Sequence, residues 1–194
     1  MPEGPEGNVA NPVPEKTAAP AAAAPKPAPT PWDGECAQKM RSLFGSGIRD
    51  SLTFAGQNYL IVDRSICHDV LRSLYQDSGF TSLTDLTAVH YPKDELPIEI
   101  IWILYSMSRN EHVRIKARFG DGEAVPTSTD LWAGANWLER EVYDMFGASF
   151  TGHPDLRRIL MPEGWAGHPL RKDYDAHKQD ENWVRANIGI ESGQ

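Results

Sequence analysis

The residues able to do chemistry crowd into positions 131–174 of the chain. Glu139, Arg140, Glu141 and Asp144 place three carboxylates and one guanidinium close together, with Arg140 and Asp144 at an i,i+4 spacing. Two carboxylates in a cleft can divide into a general acid and a general base, but only where their surroundings set the two pKa values apart. The sequence shows no such cleft. The simpler reading is a solvated helix face with one weak ion pair. Downstream, Gly152-His153-Pro154-Asp155-Leu156-Arg157-Arg158 is echoed by Gly167-His168-Pro169-Leu170-Arg171-Lys172-Asp173. His153 and His168, with Asp155, Glu163 or Asp173, could supply metal ligands for a stand-alone hydrolase. Their separation matches no common ligand spacing, and no Cys partner or HExxH helix accompanies them. A Gly-His-Pro turn more simply uses its imidazole as a hydrogen-bonding strut, with Pro fixing the turn.

Other chemistries lack their residues. No GxSxG elbow, GxGxxG turn or Walker loop occurs. Cys36 and Cys67 have no CxxC spacing and read as reduced thiols of a cytosolic protein. A net charge of −8 disfavours nucleic acid, whose phosphates demand an excess of Lys and Arg. Over 140–172 the basic residues Arg140, Arg157, Arg158, Arg171 and Lys172 face the acidic Glu141, Asp144, Asp155 and Glu163. Mixed charge, Arg forks, Trp165 and interspersed apolar anchors are the composition of a protein–protein interface.

Several elements must position these residues. Residues 58–62 form a short apolar strand candidate. Ile66, Val70, Leu71, Leu74 and Tyr75 form a helical stripe capped by Asp63 or Ser65 and stopped at Gly79. Residues 80–91 read as a strand, and 98–107 as a strand buried on both faces. After a turn at 108–110, Val113, Ile115, Ala117 and Phe119 alternate with His112, Arg114, Lys116 and Arg118. That alternation completes a β-hairpin whose basic side is a solvated face. The run Thr127-Ser128-Thr129-Asp130 reads as a helix start. Leu131, Ala135, Leu138, Val142 and Met145 then continue an amphipathic helix of about 18 residues, closed by Gly147 at C′.

From Phe150 onward large apolar residues follow neither helical nor strand period, and Gly and Pro interrupt every candidate element. Such a segment must lie across its own domain or across another protein. Nine of the 15 prolines precede Trp32, so the first residues form a Pro/Ala-rich spacer with nothing to build a core. The expected fold is therefore α/β of the α+β type: a small mixed sheet with a β-hairpin, covered by helices and followed by an extended irregular C-terminal segment. The expected division is a disordered tail over 1–31, an α/β domain over 32–149 and a partner-docking segment over 150–194. No secretory signal and no apolar run long enough to span a bilayer is present.

The 137–147 run WLEREVYDMFG, with the GHPDLRRILM and GHPLRKDY blocks at 152–161 and 167–174, resembles the signature of the 30-kDa-type family, the C subunit of NADH-quinone oxidoreductase (respiratory complex I). The resemblance is strong over 127–174, looser over 41–126, and absent from the Pro/Ala tail. It implies a non-catalytic structural and assembly subunit in the peripheral arm of a proton-translocating NADH:quinone oxidoreductase. No catalytic, cofactor-binding or metal-ligating residue is implied for this chain; FMN, iron–sulfur clusters, NADH and quinone belong to the assembly. The C-terminal segment would lie across the D subunit, which with the B subunit forms the quinone end. The interface and tail-positioning residues would be Glu139, Arg140, Glu141, Asp144, Phe146, Gly147, Gly152, His153, Pro154, Leu156, Arg157, Arg158, Trp165, Gly167, His168, Pro169, Leu170, Arg171, Lys172 and Asp173. Association with the cell (inner) membrane would be peripheral, on its cytoplasmic side and only through the complex. The alternative reading is the equivalent subunit of a related complex fed by another electron donor, reduced coenzyme F420 or ferredoxin.

Overall fold

Alternation of apolar and polar residues builds the sheet, and the inward half of that alternation builds the core. The computed structural model describes residues 28–178 and 180–189. The expected disordered tail lies outside these over 1–27. The chain enters as a two-residue strand, β1 (Thr30–Pro31), and continues into helix α1 (Glu35–Phe44). A hairpin of β2 (Ile48–Phe54) and β3 (Gln57–Val62) follows, then helix α2 (Cys67–Asp77). β4 (Ser82–His90), β5 (Ile98–Ser106) and β6 (Glu111–Phe119) form a meander. β7 (Val125–Pro126), helix α3 (Ala135–Phe146), β8 (Phe150–Thr151) and helix α4 (Glu181–Asn187) complete the described chain.

The six-stranded sheet has the order β1-β2-β3-β6-β5-β4, and β7 pairs with β8 as a separate ribbon. Within the larger sheet β3–β6 is parallel and every other pair antiparallel, so the sheet is mixed as expected. Register places Leu60, Ile115, Trp102 and Leu86 in one row across four strands, all buried. Cys36, Ala37 and Met40 of α1, Val70, Leu71 and Leu74 of α2, and Val142 and Met145 of α3 join the same core. The opposite row, Tyr59, Arg114, Ile103 and Asp85, faces away and is half-buried. Among the described residues no helix is long and apolar enough to cross a membrane.

Both cysteines are free and buried, and burial pushes each thiol up to about 12, so almost no thiolate is present at neutral pH.

Three expectations need correction. The long helix occupies only 12 residues, because 127–134 form turns; Leu131 and Trp132 bond back to the Ser128 carbonyl at 3.1 and 3.0 Å. Helix α1 and strand β2 precede the first strand read from the sequence. The bulge between Ile48 and Asp50 breaks β2's alternation, leaving only Ile48 and Ser51 of it buried. Within the irregular segment, α4 forms one short helix, capped by Asp180, whose carboxylate accepts from the Trp183 amide at 3.0 Å.

Candidate functional site

The acidic and basic cluster on α3 is not a solvated face. Glu139, Arg140 and Asp144 are all buried, whereas Glu141 alone of the cluster is exposed. A buried charge is tolerated only when its hydrogen bonds are satisfied, and the partners come from segments far away in sequence. Arg140 and Asp144 do not form the expected i,i+4 pair; Asp144 pairs with Arg158 instead.

Asp144 has no exposed side-chain surface, and its Oδ1 accepts from Arg158 Nε at 2.5 Å. Its Oδ2 accepts from three successive amides, Ile159, Leu160 and Met161, at 3.0, 2.7 and 2.9 Å. Burial alone would raise this carboxyl's pKa, yet these amides and Arg158 outweigh it and hold it below the usual carboxylate range. The other arms of Arg158 donate to the carbonyls of Asp144 (3.3 Å), Gly167 (2.6 Å) and Trp165. One guanidinium thus ties together the helix, the irregular segment over 152–178 that follows β8 as a strap, and the turn at 165–167 within it.

The same contacts complete the C-terminus of α3, whose last carbonyls have no intrahelical donor. Gly147 adopts the left-handed cap (φ 79°) and its amide returns to the Tyr143 carbonyl at 2.9 Å. His168 Nδ1 donates to the Asp144 carbonyl at 2.9 Å, and the Leu170 amide to the Met145 carbonyl at 3.0 Å. The positive charge of Arg158 also lies at the negative end of the helix dipole. A side chain at Gly147 would put its Cβ 2.7 Å from His168 Cδ2, so this glycine is required by space as well as by φ.

Glu139 anchors the opposite end of α3. Oε1 accepts from the Ser128 amide (2.6 Å) and hydroxyl (2.7 Å), and Oε2 from the Thr127 hydroxyl (2.6 Å). Ser128 Oγ in turn accepts from Trp102 Nε1 at 3.3 Å, linking Glu139 to the middle of β5. Burial raises the Glu139 pKa, and the three donors work against that rise. The Thr-Ser-Thr run that reads as a helix start is thus a ligand loop for this carboxylate.

Arg140 donates to the Arg157 carbonyl at 3.1 Å, and its guanidinium sits 4.9 Å from the centre of the Trp137 ring. His153 Nδ1 accepts from the Asp155 amide at 3.0 Å, which leaves Nε2 to donate to the Asn136 carbonyl at 3.1 Å. Both expected histidines are therefore struts. Among the described residues no three His, Cys, Asp or Glu side chains form a group able to hold a metal, and the hydrolase reading finds no site there.

Farther on, Arg171 grips Asp121 with two bonds (2.8 and 3.1 Å) and Asp173 with two more (3.1 and 3.2 Å). Hydrogen bonding to Arg171 lowers both carboxyl pKa values. The Lys172 amide donates to buried His90 Nδ1 at 3.0 Å, pinning the strap to the end of β4. Trp165 donates to the Tyr174 hydroxyl at 3.1 Å and stands edge-on to Trp183, 5.5 Å between ring centres. Phe146 is buried, Leu156 packs on the core, Pro169 is half-buried, Lys172 contributes its backbone amide, and Gly152 (φ 84°) follows β8 ahead of exposed Pro154. The unanticipated partners are Thr127, Ser128, His90, Asp121 and Tyr174, none of them close in sequence to the residue it holds.

Polar groups of the strap are thus turned inward, and some large apolar ones outward. Trp137, Leu160 and Leu170 are 63%, 61% and 49% exposed. Trp137, Arg140 and Asp144 follow one stripe of α3 at steps of three and four. The amides of Leu160 and Leu170 are bonded to Asp144 and Met145 of that same helix, so all three exposed side chains belong to α3 or to the segment held against it.

Residues 60–180 match the family of the respiratory-chain NADH dehydrogenase 30 kDa subunit. The chain is similar to the NADH-quinone oxidoreductase C subunit of Geobacter sulfurreducens, 41% identical over 77% of this chain and 94% of that one. It is also similar to the C subunit of Rhodobacter capsulatus, 47% identical over 55% of this chain and 54% of that one. Among solved structures, a chain of the membrane-bound sulfane sulfur reductase, an archaeal respiratory membrane complex, shares the fold at a TM-score of 0.59. That match covers 80% of this chain and 91% of the other at 24% identity.

Proposed function

Because this chain belongs to the family of the 30 kDa subunit, or C subunit, of complex I-type NADH-quinone oxidoreductases, we propose that it acts as a non-catalytic docking subunit in the peripheral arm of such a complex. It is a component of an oxidoreductase, and its partners are other subunits of the same assembly. The observation that supports the docking role is the division of labour at α3. Arg158, Asp144, His168 and Arg171 hold the strap in one conformation within the chain, while Trp137, Leu160 and Leu170 remain uncovered. A preorganised surface with apolar and aromatic anchors binds without first having to order itself.

In this reading the anchors are covered by the D and B subunits, at the quinone end of the arm. NADH oxidation on FMN, passage of electrons through iron–sulfur clusters and reduction of quinone take place in neighbouring subunits. This chain fixes the placement of the neighbours it touches. Its membrane association is peripheral, on the cytoplasmic side, and comes through the complex. Electron transfer is coupled to proton translocation in the assembly as a whole.

The test is affinity purification of the tagged, full-length chain from its native membranes. Companion subunits at fixed stoichiometry, with NADH:quinone activity in the eluate, are the expected result. A chain that elutes alone, or with the subunits of a complex using another electron donor, overturns the proposal.

A further inference from the structure

The four basic residues on the outward side of β6 read from sequence as a single solvated face, but they do not share one environment. Lys116 lies 3.8 Å from Glu99 and 4.7 Å over the Tyr59 ring. Arg118 is held by Asp94 and by Glu99 at 3.4 Å, with its guanidinium 4.2 Å over Tyr91. Arg114 is half-buried on the same strand, yet among the described residues it has neither an ion-pair partner nor a hydrogen bond. A half-buried guanidinium without a counter-charge is a group waiting for an acceptor.

Arg114 lines a groove of about 650 Å³ between the β2–β3 and β5–β6 turns, within the size range of small-molecule sites. The polar groups beside it are biased toward donation. Asn110 Oδ1 already accepts from the Tyr105 hydroxyl at 2.9 Å. What that side chain has left to offer the groove is N–H. Gln57 is without a side-chain partner among the described residues, and Glu111, the carboxylate in the lining, is paired with Arg109 at 3.4 Å. The walls are fixed by the two turns: Ala55 (φ 49°) and Asn110 (φ 48°) are the non-glycine residues with left-handed backbone among the described ones, and both line the groove. A hollow in which the Asn110 oxygen and the Glu111 carboxylate are engaged while a guanidinium stays open is complementary to an anion.

We propose that this groove is a binding site for a small organic or inorganic anion, whose carboxylate or phosphate group is received by the Arg114 guanidinium and the side-chain amides of Gln57 and Asn110. The site lies on the sheet face away from the core. It does not depend on the docking role of α3.

The test is a titration of the full-length chain with succinate and, separately, with inorganic phosphate at constant ionic strength, followed by nitrogen–proton correlation NMR. The expected result is saturable shifts of the Gln57 and Asn110 side-chain amides with at least one of the two probes, and the probe that saturates identifies the acid group preferred. Arg114→Gln should weaken that binding about tenfold or more, whereas Arg72→Gln, at an exposed arginine on α2, should leave it unchanged. Dispersion of the other amide signals in Arg114→Gln confirms that the variant is folded. Shifts that grow linearly with both probes, or equal binding by wild type and Arg114→Gln, overturn the proposal.

Discussion

Arg158→Ala is expected to lower the melting temperature of the isolated chain by roughly 6–20 °C, whereas Arg157→Ala moves it by only a degree or two. The neighbours share a residue type and one motif, but not an environment. The Arg158 side chain is 17% exposed and faces a fully buried carboxylate; the Arg157 side chain is 70% exposed and meets Asp155 at 2.9 Å in solvent. Removing one partner of a buried pair costs about 3–5 kcal/mol, because the other charge stays buried without compensation. In a domain of this size each kcal/mol is about 2–4 °C. An exposed pair contributes at most about 1 kcal/mol. Differential scanning calorimetry of both variants checks the contrast, and equal melting temperatures would refute the buried-latch geometry.

Acid should act on the same latch. The Asp144 carboxyl has its pKa lowered in the folded chain. Its contribution is therefore complete above the unfolded value near pH 4 and is lost as the pH falls through the lower folded value. Part of the wild type's loss of stability below about pH 4 thus belongs to this group, and Asp144→Asn should flatten that part of the profile.

Gly147→Ala is expected to cost about 2–4 kcal/mol, made of two separable parts. Left-handed backbone disfavours a side chain by about 1 kcal/mol. The new methyl would also stand 2.7 Å from the His168 ring, and overpacking of this kind costs about 1–3 kcal/mol. The ring cannot yield without giving up its bond to the Asp144 carbonyl. In a His168→Ala background the second part has no cause, so Gly147→Ala should there cost only about 1 kcal/mol. Urea unfolding of the four members of this cycle measures the coupling. A cost unchanged by removal of His168 would show that the ring is not what makes glycine necessary.

Much of the fold is legible because its signals are local. The stripe from Val70 to Tyr75 and the alternation from Val113 to Phe119 each repeat within one element, and both elements form as expected. The C′ role of Gly147 is legible for the same reason. Strand β2 is hidden by its bulge, and α4, with seven residues and only Val184 buried, is too short to show a period. The site is legible in its members but not in their chemistry. Glu139, Arg140 and Asp144 have the composition of a solvated face, and only tertiary structure brings Thr127, Ser128 and Arg158 to them. The Asp121–Arg171 clamp joins residues 50 positions apart, a distance at which no spacing rule operates. The start of α3 is set later than the sequence suggests, because Thr127 and Ser128 are the right residues for a cap and serve a buried carboxylate instead.

On the proposed docking role, the polar residues of the strap hold this chain together while its exposed apolar residues hold it to its neighbours. The most direct measurement is co-purification of the double variant Trp137→Ser/Leu160→Ser, expressed at full length in native cells in place of the wild type, with the melting temperature of the isolated variant beside it. Leu160→Ser is at an exposed position and should change stability by no more than about 0.5 kcal/mol. Trp137→Ser adds the loss of the ring's contact with the Arg140 guanidinium, about 0.5–1 kcal/mol, while loss of an aromatic anchor from an interface costs about 2 kcal/mol or more. The expected result is a melting temperature within a few degrees of wild type and recovery of companion subunits at a small fraction of wild-type yield. Companion subunits recovered at full stoichiometry would contradict the docking role.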